Sequence, residues 1–501
     1  MRKELLVNAT PPETRAALTE DGRVVEVLHE RRGRQSLVGN VYLGRVHRVL
    51  PGMHAAFVSI GLDRDAFLYV EDVAPRAADF DLTDEDPEAG EEPPELPDCP
   101  RIDELVKEGQ EIVVQVSKDA VASKGPRVTA AISLPGRTLV YLPGAREAGV
   151  SRRVTDAAER ERLRALLPDL PGEGAFIART AALGKSAGEL AADHAYLTDL
   201  AARIARRRQS AGPPALLHRE ADLALRSVRD LVSDDCDAIR VDDGATLERM
   251  RELLDAVAPR LSRKLELYAD AEPLFHRFGV EAEIESALES RVSLPSGGSI
   301  VIHQTEALVA IDVNTGRFVG KEGLEETVYA ANLEAAPEVA RQIRLRDLGG
   351  LLVVDFIDME DPEHRRALFA RFREEMARDR ARTRILEISE FGLIEITRQR
   401  SRGNLERVLT RPCPVCSGTG RVKTDMTVAL DVRRALLSPP ALFSPGERVR
   451  VRVRPGVARL LAEEDPRILA ETEASLGIRV DLVADEALEG GGFEIGRGRE
   501  V

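Results

Sequence analysis

The sequence predicts a multidomain α/β protein with a small β-barrel near its start. At 501 residues the chain is too long for one hydrophobic core, so two to four domains are expected. Short β-rich segments broken by glycine and proline fill the first part of the chain. From residue 131 onward, predicted strands alternate with predicted helices, which is the pattern of α/β domains.

The first part contains a hairpin and then the barrel. Residues 3–31 alternate apolar runs around the turn Glu20-Asp21-Gly22, which indicates a hairpin. Residues 37–73 and 109–133 supply short strands with glycine bends, typical of a Greek-key barrel of the OB type. Phe57, Phe67 and Lys124 could hold single-stranded nucleic acid there, because rings stack on bases and cations follow the backbone. From the sequence alone, Phe57 fits the barrel core equally well.

Charge and cysteine content limit the classes of protein. The net charge of -15 argues at first against a polyanionic partner. However, ten of the acidic residues lie in 79–98 together with four prolines and no basic residue, which predicts a disordered surface loop within an insertion at 75–100. With four cysteines and no apolar run of about 18 residues, we expect a cytoplasmic protein without a membrane span.

The α/β part contains strands that end in polar residues. Residues 291–318 predict two strands joined by a glycine turn, and residues 324–350 predict a long helix that ends at a glycine pair suited to a C-cap. A further strand covers 351–360. Asp361 and Pro362 then provide the N-cap and first turn of the next helix.

Asp312, Asn314 and Asp355 form the most informative set. Residues two apart on a strand point to the same face, so Asp312 and Asn314 emerge side by side, and Asp355 ends the second strand. Paired carboxylates make the oxygen-rich site that Mg²⁺ prefers, and such a site completed by a phosphate describes a phosphodiesterase. An Asx-turn that only satisfies backbone donors is the alternative. Asp358 is ranked lower, because alternation places it on the opposite strand face.

Residues 174–190 suggest a phosphate site of another kind. The tripeptide Gly184-Lys185-Ser186 invites a P-loop interpretation, but the motif would need glycine where Arg179 stands, so no nucleotide cofactor is expected. Arg179 and Thr180, between a strand and a helix, could instead hold a terminal phosphate, with Arg152 added to the same pocket.

Cys413 and Cys416 form a CxxC pair inside a proline- and glycine-rich turn. A structural zinc site normally has four protein ligands, so the pair is half of one. Neither Cys99 nor Cys236 has a Cys or His at ligand spacing. A thiol-redox CxxC is the alternative, although such a motif usually opens a helix rather than continuing into glycines.

Several segments together resemble the bacterial ribonuclease E/G family: ELLVNATPPETR, GRVHRVLPGMHAAFVSIGLDRDAFL, LPSGGSIVIHQTEALVAIDVNTG, NLEAAPEVARQIRLRDLGGLLVVDFIDM and CPVCSGTG. The resemblance covers residues 1 to about 425, and the chain length fits members without a long C-terminal scaffold region. It implies an interrupted RNase H-like domain (1–37 and 225–287), an OB-fold RNA-binding domain (38–130), a 5′-monophosphate sensor domain (131–224), a DNase I-like catalytic domain (288–409), a zinc link (410–423) and a small α/β dimerisation domain (424–501).

The same resemblance implies an activity and its residues. A family member cuts single-stranded A/U-rich RNA internally, leaves 5′-phosphate and 3′-hydroxyl ends, prefers 5′-monophosphorylated RNA, and acts in mRNA decay and rRNA and tRNA processing. The family pattern implies these roles: catalysis by Asp312, Asn314 and Asp355, with Mg²⁺ on the two aspartates; a sensor of Arg179, Thr180, Arg152, Gly136 and Val140; RNA contacts by Phe57, Phe67 and Lys124; and a Zn²⁺ shared between subunits through Cys413 and Cys416.

A homodimer or homotetramer is therefore expected. The main rival interpretation is a non-catalytic RNA-binding protein built on the OB barrel. The three polar residues at the strand ends discriminate between the two, because only an enzyme needs them.

Overall fold

The computed structural model describes residues 1–31, 33, 35–73, 101–120, 124–316, 323–389, 391–399, 404–438, 443–488 and 490–497. They form two compact units, Met1–Val408 and Leu409–Val501. Most of the insertion at 75–100, including Cys99, was predicted as a disordered loop, and all of it lies outside the described residues. In the ranges given above, no helix is long and apolar enough to cross a membrane.

The first sheet combines the start of the chain with a segment that follows the barrel. Its order is β15-β14-β1-β2-β3, with β1 (Lys3–Asn8), β2 (Glu13–Glu20), β3 (Arg23–Arg31), β14 (Cys236–Val241) and β15 (Leu265–Leu267). Asp21 and Gly22 both have positive φ and close the β2–β3 turn, which confirms the predicted hairpin. The flanking helices are α4 (Leu223–Asp230), α5 (Gly244–Val257), α6 (Pro259–Ser262), α7 (Leu274–Arg277) and α8 (Val280–Leu288).

The predicted barrel is present. It consists of β4 (Val41–Leu50), β5 (Ala55–Ser59), β6 (Ala66–Tyr69), β7 (Glu111–Lys118) and β8 (Arg127–Thr129), beside the short helix α1 (Ile102–Leu105). The sheet order β4-β5-β6-β8-β7 closes because β7 also pairs with β4, a closure consistent with an OB-like fold. A later strand, β13 (Ala215–His218), extends the same sheet beside β4.

A small sheet follows the barrel in sequence. Its order is β11-β12-β10-β9, with β9 (Leu134–Pro135), β10 (Leu139–Leu142), β11 (Gly149–Val150) and β12 (Ala175–Ala178). Its helices are α2 (Ala157–Leu166) and α3 (Ala187–Ser210). Ser186 and Glu189 form a capping box that fixes the start of α3.

The next sheet carries the polar strand ends. Its order is β16-β17-β18-β19-β21-β20, with β16 (Arg291–Ser293), β17 (Ser299–Gln304), β18 (Leu308–Asn314), β19 (Gly350–Asp355), β20 (Thr383–Ile385) and β21 (Leu393–Arg398). Helices α9 (Leu324–Leu345) and α10 (Pro362–Met376) contribute, with the alternate apolar residues of the strands, to one hydrophobic core. The other residues of β18 are exposed, so one sheet face is left to solvent.

Two details of this region bear on the predictions. Asp361 accepts a hydrogen bond from the Glu363 N–H at 2.7 Å, as expected for the N-cap of α10. The predicted glycine C-cap of α9 is wrong. That helix ends at Leu345, Asp347 takes the left-handed conformation, and Gly350 already begins β19.

The second unit contains the CxxC segment and a small α/β arrangement. Helix α11 (Leu405–Leu409) ends at the boundary between the units, and α12 (Asp425–Leu437) follows the CxxC turn. Strands β22 (Arg448–Val453), β23 (Arg479–Ala484) and β24 (Phe493–Arg497) form a sheet with β22 in the middle, and α12 packs on α14. The remaining helices are α13 (Pro455–Arg459) and α14 (Arg467–Leu476).

Candidate active site and phosphate pocket

Asp312 and Asp355 lie directly opposite each other on neighbouring parallel strands. The register of β18 and β19 pairs Asp312 with Asp355, and neighbouring strands are about 4.8 Å apart. Both side chains are on the exposed face of the sheet. The Asn314 amide donates a 2.8 Å hydrogen bond to the Asp312 carboxylate, so the three polar groups form one cluster at the strand ends.

The electrostatics of this cluster favour a cation. Partial burial, followed by the negative charges of Asp312 and Asp358, raises the pKa of the Asp355 carboxyl. A divalent ion would relieve this repulsion, and carboxylate and amide oxygens are suitable ligands. Within the described ranges, no group of three or more Asp, Glu, His or Cys is arranged to hold a metal. Two carboxylates are nevertheless enough for Mg²⁺, which keeps several waters and takes further ligands from a phosphate.

The structure changes the position assigned to Asp358. The predicted strand 351–360 ends at Asp355, so Asp358 lies in the following loop and the alternation that put it on the opposite face does not apply. Its charge contributes to the raised pKa of Asp355. The contacts do not support the Asx-turn alternative. The Asn314 amide donates to Asp312, and among the described residues it makes no hydrogen bond to the turn backbone.

Arg179 lies between the small sheet and α4, and the groups around its guanidinium are called the Arg179 pocket below. Its guanidinium donates to the Gly136 carbonyl and to the Asp230 carboxylate, the latter at 3.0 Å. Thr180 follows as the first residue of a short helical turn and is exposed. Burial alone would raise the pKa of Asp230, but the Arg229 and Arg179 guanidiniums lower that pKa to about 2.

A buried carboxylate holds the loop that carries Gly136. Asp193, fully buried on α3, accepts hydrogen bonds from the backbone N–H groups of Arg137, Thr138 and Leu139 at 2.7–3.2 Å. A Cβ atom at position 136 would lie 2.6 Å from the Asp193 carboxylate, so that position requires glycine. Val140 follows in β10 with its side chain buried.

Sequence reasoning missed three residues of this pocket. Asp230 and Asp193 come from separate helices, and no spacing pattern connects them to Arg179. Arg153, next to the predicted Arg152, donates to the Arg380 carbonyl at 2.6 Å. Burial, and then the nearby charge of Arg179, lower the pKa of Arg153, so this arginine belongs to the surroundings of the pocket. Arg152 itself is exposed in the turn before it.

The outside of the barrel carries a row of rings and cations. The register places Phe57 beside Phe67, with ring centroids 5.8 Å apart in an edge-to-face arrangement. Both rings are half-buried and point away from the barrel core, so the core interpretation of Phe57 is wrong. The same row continues across the strands to Arg48 on one side and to Arg127 and then Lys118 on the other. Lys124 is exposed just before β8.

Cys413 and Cys416 lie in a tight turn of the second unit. Ser417, Gly418 and Gly420 all have positive φ, which folds the backbone around Cys416. The Gly420 N–H lies 3.3 Å from the Cys416 sulfur. Hydrogen bonds from the backbone at Gly420 and Gly418 lower the pKa of the Cys416 thiol, which favours the thiolate that binds metals.

Comparisons with known proteins identify the relatives of this chain. The profile of the ribonuclease E/G family matches residues 133–401, and that of its thioredoxin-like domain matches residues 412–498. Ribonuclease G of Escherichia coli (strain K12) is 42% identical over 483 residues, which span 96% of this chain and 97% of that protein. Ribonuclease G of Haemophilus influenzae is 41% identical over 485 residues, again 96% and 97%.

The chain belongs to the ribonuclease E/G family. Its class is therefore that of an endoribonuclease, a hydrolase. Ribonuclease E of Escherichia coli (strain K12) is 37% identical over 492 residues, which cover 97% of this chain but 45% of that longer protein.

The CxxC pair lies within the segment that matches the thioredoxin-like domain, so its local structure bears on the choice between zinc binding and redox chemistry. A redox CxxC usually opens a helix, where the helix N-terminus lowers the thiol pKa. Here the CxxC lies in turns, and α12 begins only at Asp425. The position of this CxxC therefore differs from that of a typical redox motif.

The ion pairs of Asp230 with Arg229 and Arg179 predict how low pH affects the free energy of unfolding. With a native pKa of about 2 and an unfolded pKa of about 3.9, Asp230 stabilises the native state above pH 4 and loses this effect as the pH falls toward 2. Asp230→Asn should lower the free energy of unfolding at pH 7 by about 2 to 3 kcal/mol. Urea unfolding followed by circular dichroism at several pH values measures this difference.

Asp199→Asn is the matched control, because Asp199 forms an exposed ion pair with Arg203 and should change the free energy of unfolding by less than about 1 kcal/mol. If the curves for wild type and Asp230→Asn stay parallel from pH 7 to pH 2, Asp230 does not titrate as described.

Proposed function

We propose that this protein is a Mg²⁺-dependent endoribonuclease that cleaves single-stranded A/U-rich RNA internally, leaving 5′-phosphate and 3′-hydroxyl ends, with stimulation by a 5′-monophosphate. The direct register of Asp312 with Asp355 is the observation that carries the proposal. Its cellular role is in mRNA decay and in rRNA and tRNA processing in the cytoplasm. We propose the same domain organisation, with the same bounds, as the resemblance implies.

The chemistry follows from the exposed carboxylates. Asp312 and Asp355 would hold Mg²⁺, which supplies a Lewis acid that polarises the phosphoryl oxygen and helps to generate the attacking hydroxide. Asn314 is neutral and has two amide N–H groups, so it can donate to Asp312 and also orient the scissile phosphate or the water. The exposed sheet face lets a polymer lie across these residues.

The remaining proposed roles concern RNA binding. Arg179 and Thr180 recognise a 5′-monophosphate, with Arg152, Gly136 and Val140 completing the pocket. Arg179 suits this role because the Gly136 carbonyl and the Asp230 carboxylate already hold its planar guanidinium in place. Phe57, Phe67 and Lys124 contact single-stranded RNA, since the rings are available for stacking on the outer barrel surface.

The CxxC turn supplies half of a zinc site. Cys413 and Cys416 provide two thiolates where a structural zinc takes four ligands. When two identical chains meet across a two-fold axis, the CxxC pair of each chain contributes two thiolates, which together make four zinc ligands. We therefore infer a homodimer, or a homotetramer built from such dimers, with each Zn²⁺ shared between two subunits.

The catalytic assignment predicts the effect of removing one carboxylate. Asp312→Asn should slow Mg²⁺-dependent cleavage of a 5′-monophosphorylated oligonucleotide by more than about a hundredfold, because even indirect support of a metal ligand is worth 10- to 100-fold. RNA binding should persist. Gel analysis of cleavage products with Mg²⁺ or with EDTA measures the rate, and fluorescence anisotropy measures binding.

Glu395→Gln is the matched control, since it removes a carboxylate from the same exposed sheet face at the neighbouring register position. Cleavage by Asp312→Asn at the wild-type rate would refute the metal assignment. If wild type binds RNA but cuts none under any metal condition, the non-catalytic RNA-binding interpretation holds instead.

The sensor assignment predicts a loss of end preference. Wild type should cut one RNA fastest with a 5′-monophosphate and more slowly with a 5′-triphosphate or 5′-hydroxyl. Arg179→Ala should remove this difference, because a charge-assisted bidentate contact to the phosphate is lost. Arg164→Ala, an exposed arginine on α2, should keep it. Equal wild-type rates on all three RNAs would exclude a sensor.

The zinc assignment predicts a change in assembly. Cys413→Ser should lose bound zinc after dialysis and shift the protein toward monomer in sedimentation velocity, because one thiolate of each half-site is missing. Val415→Ser alters an exposed residue between the two cysteines and should keep both zinc and assembly. A zinc-free wild-type protein that remains dimeric would contradict the shared site.

A further inference from the structure

A cavity near the Arg179 pocket is lined by residues that have no role in the proposed reaction. Its volume is about 270 Å³, and Lys185 and Ser186 of the rejected P-loop motif belong to its wall. The wall combines the β9–β10 loop, the start of α3, Asp234 and the segment between α5 and α6. Its charged or polar side chains are Arg137, Thr138, Lys185, Ser186, Glu189, Asp234 and Arg260.

Arg137 is a buried cation with incomplete partners. Its side chain is 2% exposed, one terminal nitrogen donates to the Val228 carbonyl at 3.0 Å, and another lies 3.5 Å from Asp234. Its Nε is buried and has no hydrogen-bond partner among the residues that the structure describes. Burial lowers the pKa of Arg137 despite the nearby carboxylates of Asp234 and Asp193. The guanidinium is therefore incompletely hydrogen-bonded among the described residues.

Lys185 adds a second cation to the wall. The Lys185 side chain is 10% exposed and contacts Asp234 and Glu189. The start of α3 is already capped, because the Ser186 hydroxyl accepts from the Glu189 N–H and the Glu189 carboxylate accepts from the Ser186 N–H. The cationic side chains, and not the helix end, are therefore the groups available to an anion.

Asp234 is an exposed carboxylate of the cluster. Its side chain is 55% exposed, whereas both of its cationic partners are largely buried. If Asp234 turned outward, the two buried cations would lose a partner, which is costly unless another anion takes its place. A phosphate monoester provides up to two charges and three acceptor oxygens.

The cavity is also connected to the Arg179 pocket by two segments of chain. Arg137 and Thr138 directly follow Gly136, whose carbonyl accepts from Arg179, and the Arg179 N–H donates to the Thr138 carbonyl at 2.8 Å. Asp230, the last residue of α4, pairs with Arg179, and Asp234, four residues further along the chain, pairs with Arg137. A ligand that moves Arg137 and Asp234 therefore changes the surroundings of Arg179.

We propose that this cavity is an effector site for a small phosphate monoester or free phosphate, bound by Arg137 and Lys185 in place of Asp234. The binding claim is independent of the proposed function. The expected consequence, a changed preference for 5′-monophosphorylated RNA, rests on that function.

Isothermal titration calorimetry at constant ionic strength tests binding, with inorganic phosphate and glucose 6-phosphate as separate probes. The titrations use the Arg179→Ala protein, in which the proposed 5′-phosphate pocket no longer competes. We expect saturable binding, weakened about tenfold by the further change Lys185→Met, because a charge-assisted contact is lost. Lys185→Arg should keep binding, and so should Arg203→Met, an exposed cation elsewhere on α3. Tighter binding of glucose 6-phosphate would assign the site to an organic monoester.

Two results would overturn the site: no heat of binding up to about 10 mM of either probe, or equal affinity with and without Lys185. A circular dichroism melt establishes that each variant is folded. The consequence is tested in the protein with Arg179 intact, as the ratio of cleavage rates on 5′-monophosphate and 5′-hydroxyl RNA. Glucose 6-phosphate should change this ratio at least about twofold in wild type and not in Lys185→Met. An unchanged ratio with proven binding would refute the coupling and leave the endoribonuclease proposal untouched.

Discussion

The parallel pairing of β18 with β19 is the constraint on which the candidate active site depends. It sets Asp312 opposite Asp355, although a long helix separates them in the chain. The pairing is fixed by the apolar residues between the polar ones: Ile311, Val313 and Val354 are buried in the core. A slip of one residue would turn each side chain to the other face of the sheet. The packing of the core therefore also fixes the positions of the two carboxylates.

Helix α9 connects the sheet that contains β18 and β19 to the first sheet. It packs under β18, and its arginines and glutamates pair with residues from the beginning of the chain. Arg344 contacts Glu20 at 2.8 Å, and Glu338 contacts Arg23 at 2.7 Å. In the first pair both side chains are largely buried, and the loss of one partner of such a pair costs about 3–5 kcal/mol. Arg23 is 59% exposed, so the second pair contributes less. Both contacts join α9 to the first sheet.

Local arrangement explains how an acidic protein can present cationic surfaces. The net charge is -15, yet Arg48, Arg127 and Lys118 flank the two rings on the barrel in one register row. The Arg179 guanidinium is held by a carboxylate and a carbonyl, so the orientation of its planar group is fixed. Affinity for a polyanion depends on such placed cations and the counterions they displace, and the total charge is a poor guide to it.

The sequence by itself determined the local features: the hairpin at Asp21-Gly22, the N-cap at Asp361, the closed barrel from its short strands, and the polar strand ends at Asp312 and Asn314. Each follows from residues close together in the chain, whose spacing and turn chemistry act locally. Short sequence motifs were also enough to identify the family. Only the tertiary structure decided that Phe57 faces outward, that Asp355 meets Asp312, that Asp358 stands in a loop, and that Asp193, Asp230 and Arg153 surround Arg179. These outcomes depend on strand register and on burial between distant segments, and local periodicity contains no information about which distant partner a side chain will meet.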